Sequence, residues 1–543
     1  MLSFVEYIET SIKSNWGNKA LSNFNEDTLT FEDTAKEIKK LQLFFKELGI
    51  KKGDKIAQIG RNNSKWAITF MSTISYGAVS VPLLQDFPPA NIENTINHSD
   101  AVLFFISDYI FEKLDVSKFP NIIGFISLDS YEILHTSNKN LKTVFEKAQN
   151  AKIDITAESF SLEPIPNNEL ATISYTSGTS GLSKGVMLTH GNFAANIEFG
   201  QTIIDLRPKD TIVSFLPLAH AYGLTFEFLL EFSMGCHITF LGKIPSPQII
   251  LQAFKEVKPR LVVLVPLIIE KIFKNKVKPA ISKGLPKFML GLPLLKNIVY
   301  KKVKKQLEES FGGNFIEVII GGAALNKEVE SFLKKIGFRF AVGYGMTECA
   351  PLISFSSWDV AQKFSCGTPI PQCEVKIDSP DPERVEGEIM VKGSQVMLGY
   401  YKNEKATKES IDEDGWLKTG DLGVMNNEGY IIIKGRSKNM ILGASGQNIY
   451  PEEIEAEINN MPYVMESLVV EKEGKLHALI VPDTEKVEQD GLNEEKVLAE
   501  FEKSKKQLNL VMPNYMNISR VEVQAEEFVK TPKKSIKRYL YTN

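Results

Sequence analysis

Apolar residues recur at helical spacing at Ile38, Leu41, Phe44, Phe45 and Leu48. The run opens at Leu29-Thr30-Phe31-Glu32-Asp33 and stops at Gly49, which predicts an amphipathic helix. Gly53-Asp54 makes a turn, and the pattern then predicts a strand at Lys55–Ile59, a helix at Trp66–Tyr76 and a strand at Ala78–Leu84. Further strands are expected at Ala101–Ile106, Asn121–Ser127, Ile212–Phe215, His237–Phe240 and Leu261–Val265. Helix and strand in alternation imply a parallel, doubly wound α/β sheet.

The texture changes between Gly367 and Gly435. Short strands at Val375–Ile377, Gly387–Val391 and Gly429–Lys434 are separated by Gly, Pro and Asp turns, as in a small β-barrel or sandwich. A last, highly charged α+β unit follows: a helix at Pro451–Asn460, strands at Ser467–Glu471 and Leu476–Val481, a helix at Asn493–Gln507 and a strand at Ile518–Val523. The expected division is a large N-terminal domain, 1–434, of doubly wound α/β subdomains with its β-rich part at 367–434. A hinge at 435–438 and a small mobile α+β C-terminal domain, 439–543, complete it.

Composition narrows the function. With 63 Lys+Arg against 67 Asp+Glu, the net charge of −4 offers no basic excess for nucleic acid. Four cysteines in 543 residues, without a CxxC pair, suit neither a disulfide framework nor a structural zinc site. Glu6 and Glu9 stand where a secretion signal needs positive charge, and the longest apolar stretches are far below the ~18 residues of a spanning helix. A cytoplasmic protein, at most peripheral to the inner face of a membrane, is expected. The six histidines show no metal-ligand spacing, and no GxSxG element supports a serine hydrolase.

The sharpest chemical signal is Ser174-Tyr175-Thr176-Ser177-Gly178-Thr179-Ser180-Gly181-Leu182-Ser183-Lys184-Gly185. Glycines let backbone N–H groups meet phosphate oxygens, hydroxyls add donors, and Lys184 adds positive charge. A plain surface turn is the bland alternative. A Walker loop fails, because the GxxxxGK[ST] spacing is absent and Val186–Thr189 reads as a strand rather than a helix.

With that loop stand Gly321-Gly322-Ala323-Ala324-Leu325, Gly343-Tyr344-Gly345-Met346-Thr347-Glu348, Gly415-Trp416-Leu417-Lys418-Thr419-Gly420-Asp421, Gly435-Arg436-Ser437-Lys438, and Gly446 before Pro451-Glu452-Glu453-Ile454-Glu455. In this order the set resembles the adenylate-forming (AMP-binding) acyl-CoA synthetases, most of all the bacterial long-chain fatty acid–CoA ligases, along nearly the whole chain. The resemblance implies ATP-dependent activation of a medium- or long-chain fatty acid to acyl-AMP and transfer to coenzyme A, with Mg2+ as the metal. It places ATP phosphates on Thr176, Ser177, Gly178, Thr179, Ser180 and Lys184, and adenine between Tyr344 and Gly322-Ala323-Ala324, close to Thr347. Asp421 and Arg436 would take the ribose, Glu348 and the Thr176 hydroxyl the magnesium, and Lys438 the hinge, with Gly446 beside the coenzyme A route. His220, Tyr222 and Gly223, in Leu216-Pro217-Leu218-Ala219-His220-Ala221-Tyr222-Gly223, would line the acyl pocket, with His220 facing the reacting carboxylate. Gly343 stands where acetate-type relatives have tryptophan, and so argues for a longer acyl group.

Two further features are an insert of the kind that long-chain members similarly carry and a departure at the C-terminal motif. A lysine-dense insert, 271–305, interleaves Phe288, Met289, Leu290, Leu292, Leu294, Leu295, Ile298 and Val299 among its lysines. It reads as a solvated helical hairpin or as contact with an anionic membrane. The C-terminal motif T-P-x-G-K-I-x-R is here Thr531-Pro532-Lys533-Lys534-Ser535-Ile536-Lys537-Arg538, with Ser535 at the lysine position. The flexible stem of Lys534 is the expected substitute. Two rival readings stand beside the ligase: an acyl-AMP ligase loading a carrier protein in trans, and a non-catalytic nucleotide-binding relative.

Overall fold

A computed structural model describes residues 2–176, 184–243, 245–282, 284–292, 295–442, 447–531 and 535–542. Two large sheets organise the first two thirds of the chain. The eight-stranded sheet runs in the order Gly399–Tyr400, Lys184–Thr189, Leu170–Thr176, Val79–Leu83, Lys55–Ile59, Ala101–Ile106, Gly124–Ser127 and Ile133–Thr136. Its centre is parallel and its edges antiparallel. The seven-stranded sheet runs Phe340–Val342, Glu317–Ile320, Leu261–Leu264, Thr211–Ser214, His237–Phe240, Lys19–Asn23 and Thr28–Thr30, and is parallel except for its last pair.

Local chemistry explains the elements that join them. The helix Phe31–Leu48 begins at Thr30, whose hydroxyl accepts the Asp33 N–H while the Asp33 carboxylate accepts the Thr30 N–H, a reciprocal cap. It stops at Gly49, whose φ of 84° is the left-handed conformation that glycine adopts without a Cβ clash. Ser64–Tyr76 begins one turn-edge earlier than the Trp66 that periodicity suggests, because Asn63 caps the Trp66 N–H. Nearly all of this helix is buried, and it touches strands of both large sheets. The Ser72, Thr73 and Ser75 hydroxyls donate to carbonyls one turn earlier, so the helix can be buried on nearly every side between two sheets.

The β-rich region is an antiparallel sheet of Cys373–Asp378, Gly387–Gly393, Leu417–Met425 and Ile431–Arg436, accompanied by Tyr344–Gly345, Leu352–Phe355 and Thr368–Pro369. From this region Gly399–Tyr400 leaves to pair with Lys184–Thr189 at the edge of the eight-stranded sheet. After Arg436 a three-stranded sheet (Val464–Lys472, Lys475–Pro482, Ile518–Val523) packs with the helices Pro451–Ile458 and Glu494–Val511 around its own apolar cores. Those residues meet the larger part through Asn326, whose side-chain amide donates to Ala456 O (3.1 Å) and Asn460 Oδ1 (2.9 Å), and through Lys327 and Glu453, 3.5 Å apart. Among the described residues no helix is long and apolar enough to cross a membrane.

Candidate active site

Parallel strands put the loops that follow them on one edge of the sheet, where α/β proteins bind ligands. Glu317–Ile320 and Phe340–Val342 are neighbours, so Gly321-Gly322-Ala323-Ala324 and Gly343-Tyr344 emerge side by side. Gly322, Ala323 and Ala324 are exposed, and Gly322 has φ of 86°, a conformation that side chains rarely adopt. Tyr344 is buried, and its hydroxyl donates to Asp421 Oδ2 at 2.8 Å. The other Asp421 oxygen lies 3.0 Å from Arg436 Nε. Asp421 and Arg436 face each other across the antiparallel strands Leu417–Met425 and Ile431–Arg436. Thus three distant segments of sequence meet at one carboxylate. Burial pushes the Asp421 carboxyl above the ordinary range, with Arg436 and Tyr344 opposing the rise and the nearby Glu348 charge adding to it.

The loop Met346–Ala350 carries Thr347 and Glu348, both buried. Glu348 is fastened at both ends: Met397 N–H donates to its carbonyl (2.8 Å), and the Tyr400 hydroxyl donates to Oε1 (2.9 Å). Asn196, fully buried in the helix His190–Ile203, spans the turn after it. Its amide donates to Cys349 O (3.2 Å) while its oxygen accepts the Leu352 N–H (3.0 Å). Thr176 and Lys184, the residues on either side of 177–183, stand opposite each other across an antiparallel pair. The segment after that loop is a strand, Lys184–Thr189, as the argument against a Walker loop required. Lys184 Nζ lies 4.5 Å from the centre of the Tyr400 ring, a cation–π contact. Ser177, Gly178, Thr179 and Ser180 lie outside the described residues, as do Gly446 and Lys534.

The segment Leu216–Gly223 follows a strand of the other sheet, Thr211–Ser214. His220, half-buried, precedes the short helix Ala221–Leu224. The Tyr222 hydroxyl reaches Leu264 O and Ile319 O, both at 3.3 Å, so the tyrosine sits at the ends of two adjacent strands. Gly223 is buried, and a Cβ there would come within 2.7 Å of the Pro217 carbonyl. A Cβ at Gly343 would make ordinary contact with Phe355 (3.5 Å) and Leu352 (3.6 Å). Lys438 is exposed in the turn Ser437–Asn439. Sequence reasoning missed Tyr400 and Asn196. Asn192 and Asn196, four residues apart among Phe193, Ala194, Ala195 and Ile197, were a readable signal, because buried amides are kept where they have partners.

Among the described residues no group of three or more His, Cys, Asp or Glu could hold a metal by itself. Single hard oxygens at Glu348 and Thr176 suit a magnesium ion that takes its remaining ligands from phosphates and water.

The profile of the AMP-binding enzyme family matches residues 9–401. The chain belongs to that family. Its relatives are adenylate-forming acid–CoA ligases. The long-chain-fatty-acid–CoA ligase FadD15 of Mycobacterium bovis is 26% identical over 552 residues, covering 94% of this chain and 90% of that protein. A probable 4-coumarate–CoA ligase 1 of Dictyostelium discoideum is 30% identical over 471 residues, covering 82% and 79%. The structure of o-succinylbenzoate coenzyme A synthetase (MenE) of Bacillus subtilis with ATP and magnesium has 21% identity and a TM-score of 0.75, covering 98% of each chain. This AMP-binding enzyme therefore shares its fold with ligases of chemically different acids.

Proposed function

We propose that this AMP-binding enzyme is a fatty acyl-CoA synthetase for medium or long chains. The substrate carboxylate attacks the α-phosphorus of ATP, forming the acyl–phosphate bond and releasing pyrophosphate. The thiol of coenzyme A then attacks the acyl carbon and releases AMP. What supports this most is the meeting of Tyr344 and Arg436 on Asp421, since two oxygens of one buried carboxylate beside an aromatic ring suit a ribose and its base. In this reading the adenine lies between Tyr344 and Gly322-Ala323-Ala324, and Lys184 with the phosphate loop holds the phosphates. His220, Tyr222, Gly223 and Gly343 border the acyl chain, and the part after the hinge at Lys438 turns between the two half-reactions. Glu348 and Thr176 would hold Mg2+, which when bound supplies charge neutralisation on the phosphates. The protein offers no covalent nucleophile; its residues orient reactants and compensate charge.

Long-chain preference draws on the FadD15 kinship and on Gly343; the 4-coumarate relative marks how far the family's acids range. Peripheral membrane contact draws on the insert, which has eleven lysines against one acid, Glu270, between residues 270 and 305. Its helices Gly284–Leu290 and Lys296–Ser310 leave Phe288 and Ile298 exposed, with Leu292 exposed in the turn after the first, and Lys296, Lys301, Lys302 and Lys305 are exposed on the second. That mixture matches an anionic bilayer carrying fatty acids.

Ser535, exposed, stands at a neck: Thr531 N–H donates to Ser535 O (2.8 Å), and Lys530 bridges Ile536. Lys534 is the proposed functional lysine, so Lys534→Ala should depress acyl-AMP formation while thioester formation from supplied acyl-AMP survives. Equal, mild effects of Lys533→Ala, Lys534→Ala and Lys537→Ala would overturn that assignment. The deciding experiment is pyrophosphate release across fatty acids of increasing length, with and without coenzyme A. Thioester product on long chains supports the proposal. Adenylate without thioester would favour a carrier protein as acceptor, and no release would favour a non-catalytic relative.

A further inference from the structure

We propose that Tyr400 is a positioning residue that ties the phosphate-loop lysine to the metal-binding glutamate. The inference rests on the reading of Glu348 as a ligand of the magnesium of ATP, and two contacts converge on this one side chain. Its hydroxyl donates to Glu348 Oε1 at 2.9 Å, and its ring lies 4.5 Å from Lys184 Nζ. The backbone around it serves the same two residues. Tyr400 pairs with Val186, two residues beyond Lys184, and Met397, three residues before Tyr400, donates its N–H to the Glu348 carbonyl. The Tyr400 N–H is itself held by the Thr407 hydroxyl at 2.9 Å. Thus a segment of the β-rich region crosses to the edge of the eight-stranded sheet and brings one phenol between a cation and an anion.

The physical consequence is orientation. A carboxylate on a free glutamate stem samples several rotamers, and each must be given up when a metal ion binds. A hydrogen bond to one oxygen removes that freedom beforehand and directs the carboxylate, much as second-layer partners orient ligands in metal sites generally. The negative face of the ring keeps the Lys184 ammonium at a set distance from Glu348, so that the lysine is not drawn into a direct ion pair with the metal ligand. The tyrosine touches neither nucleotide nor metal in this account.

The test measures ATP binding by calorimetry, without fatty acid so that no turnover occurs, once with Mg2+ and once with EDTA. The quantity read is the factor by which Mg2+ strengthens ATP binding. Tyr400→Phe, which keeps the ring and removes the hydroxyl, should cut that factor about tenfold to a hundredfold, the worth of one hydrogen bond to a charged group. ATP affinity in EDTA should stay as in the parent. Tyr400→Leu should lower affinity in EDTA as well, because Lys184 loses its ring. Glu348→Gln should abolish the Mg2+ factor, and Tyr400→Phe added to it should cost nothing more. If Glu348→Gln lowers the factor and Tyr400→Phe leaves it unchanged, the tyrosine inference falls while the functional reading stands. Equal weakening by Tyr400→Phe with and without Mg2+, or additive losses in the double variant, would reduce Tyr400 to a packing residue. An unchanged factor in Glu348→Gln would overturn the metal reading and the inference together.

Discussion

Asp421 and Glu455 are both buried carboxylates that take an arginine, and they differ in what that arginine can still reach. Arg436, beside Asp421, keeps 62% of its side chain exposed. Arg538, beside Glu455, keeps 19%. Glu455 also accepts the Val469 N–H at 2.6 Å, and Arg538 reaches toward Val469 O and, at 3.8 Å, Glu452. The second pair is therefore largely enclosed, in contact with backbone groups of its own sheet. The first pair is closed on the Tyr344 side and open on the arginine side. One chemistry thus serves two ends: a largely enclosed pair ties Arg538 to the sheet, and a half-open pair presents charge to solvent. Counting charged motifs does not separate them; exposure of the cation does.

The contrast can be broken in stages. The largest effect is expected from Arg538→Ala, which leaves Glu455 buried without its partner and should cost about 3–5 kcal/mol in the unfolding of the C-terminal part. Denaturant melts would read this, and a change below 1 kcal/mol would show the pair to be dispensable. Asp421→Asn comes next. It keeps the shape and an acceptor for Tyr344, so the fold should hold while adenylation falls on the order of a hundredfold, chiefly through ATP binding. Parental activity in this variant would remove Asp421 from the nucleotide site. Arg436→Ala should raise the KM for ATP about tenfold and shift stability by less than about 1 kcal/mol, as expected of a pair with one exposed partner. A stability loss matching that of Arg538→Ala would erase the distinction drawn here.

The smallest effect is a pH slope. Burial raises the Asp421 carboxyl above its ordinary value of 3.8, so the folded chain binds more protons there than the unfolded one. Stability from this group is complete below the ordinary value and declines as pH rises through the raised one. Asp421→Asn should flatten that decline. An unchanged stability–pH curve would show that Arg436 compensates the burial fully.

Element type was legible wherever periodicity and punctuation agreed. Lys55–Ile59, Ala101–Ile106, His237–Phe240 and Ile518–Val523 occur with the bounds the pattern suggests, and Gly49 ends its helix. Elsewhere the ends moved by a few residues, as at Gly124–Ser127, because side-chain caps and strand partners set ends and neither is a local property. The candidate site was legible only as motifs, since glycine-rich loops and glycine-flanked aromatics have short-range signatures. The tyrosine that grips Glu348 was not. Nothing near Gly399-Tyr400-Tyr401 in the chain hints at a partner 52 residues away.

By itself, then, the order of residues determined the alternating α/β framework, the change to short strands after Gly367, and the family, because period, turn chemistry and contiguous motifs all act over a few residues. Only the tertiary structure decided that Tyr344, Asp421 and Arg436 share one carboxylate and that Gly399–Tyr400 crosses to the eight-stranded sheet. It alone separated the half-open Arg436 from the enclosed Arg538. Those outcomes depend on which distant backbone and side-chain groups end up together out of water. Desolvation and hydrogen-bond geometry settle that only once the sheets have packed.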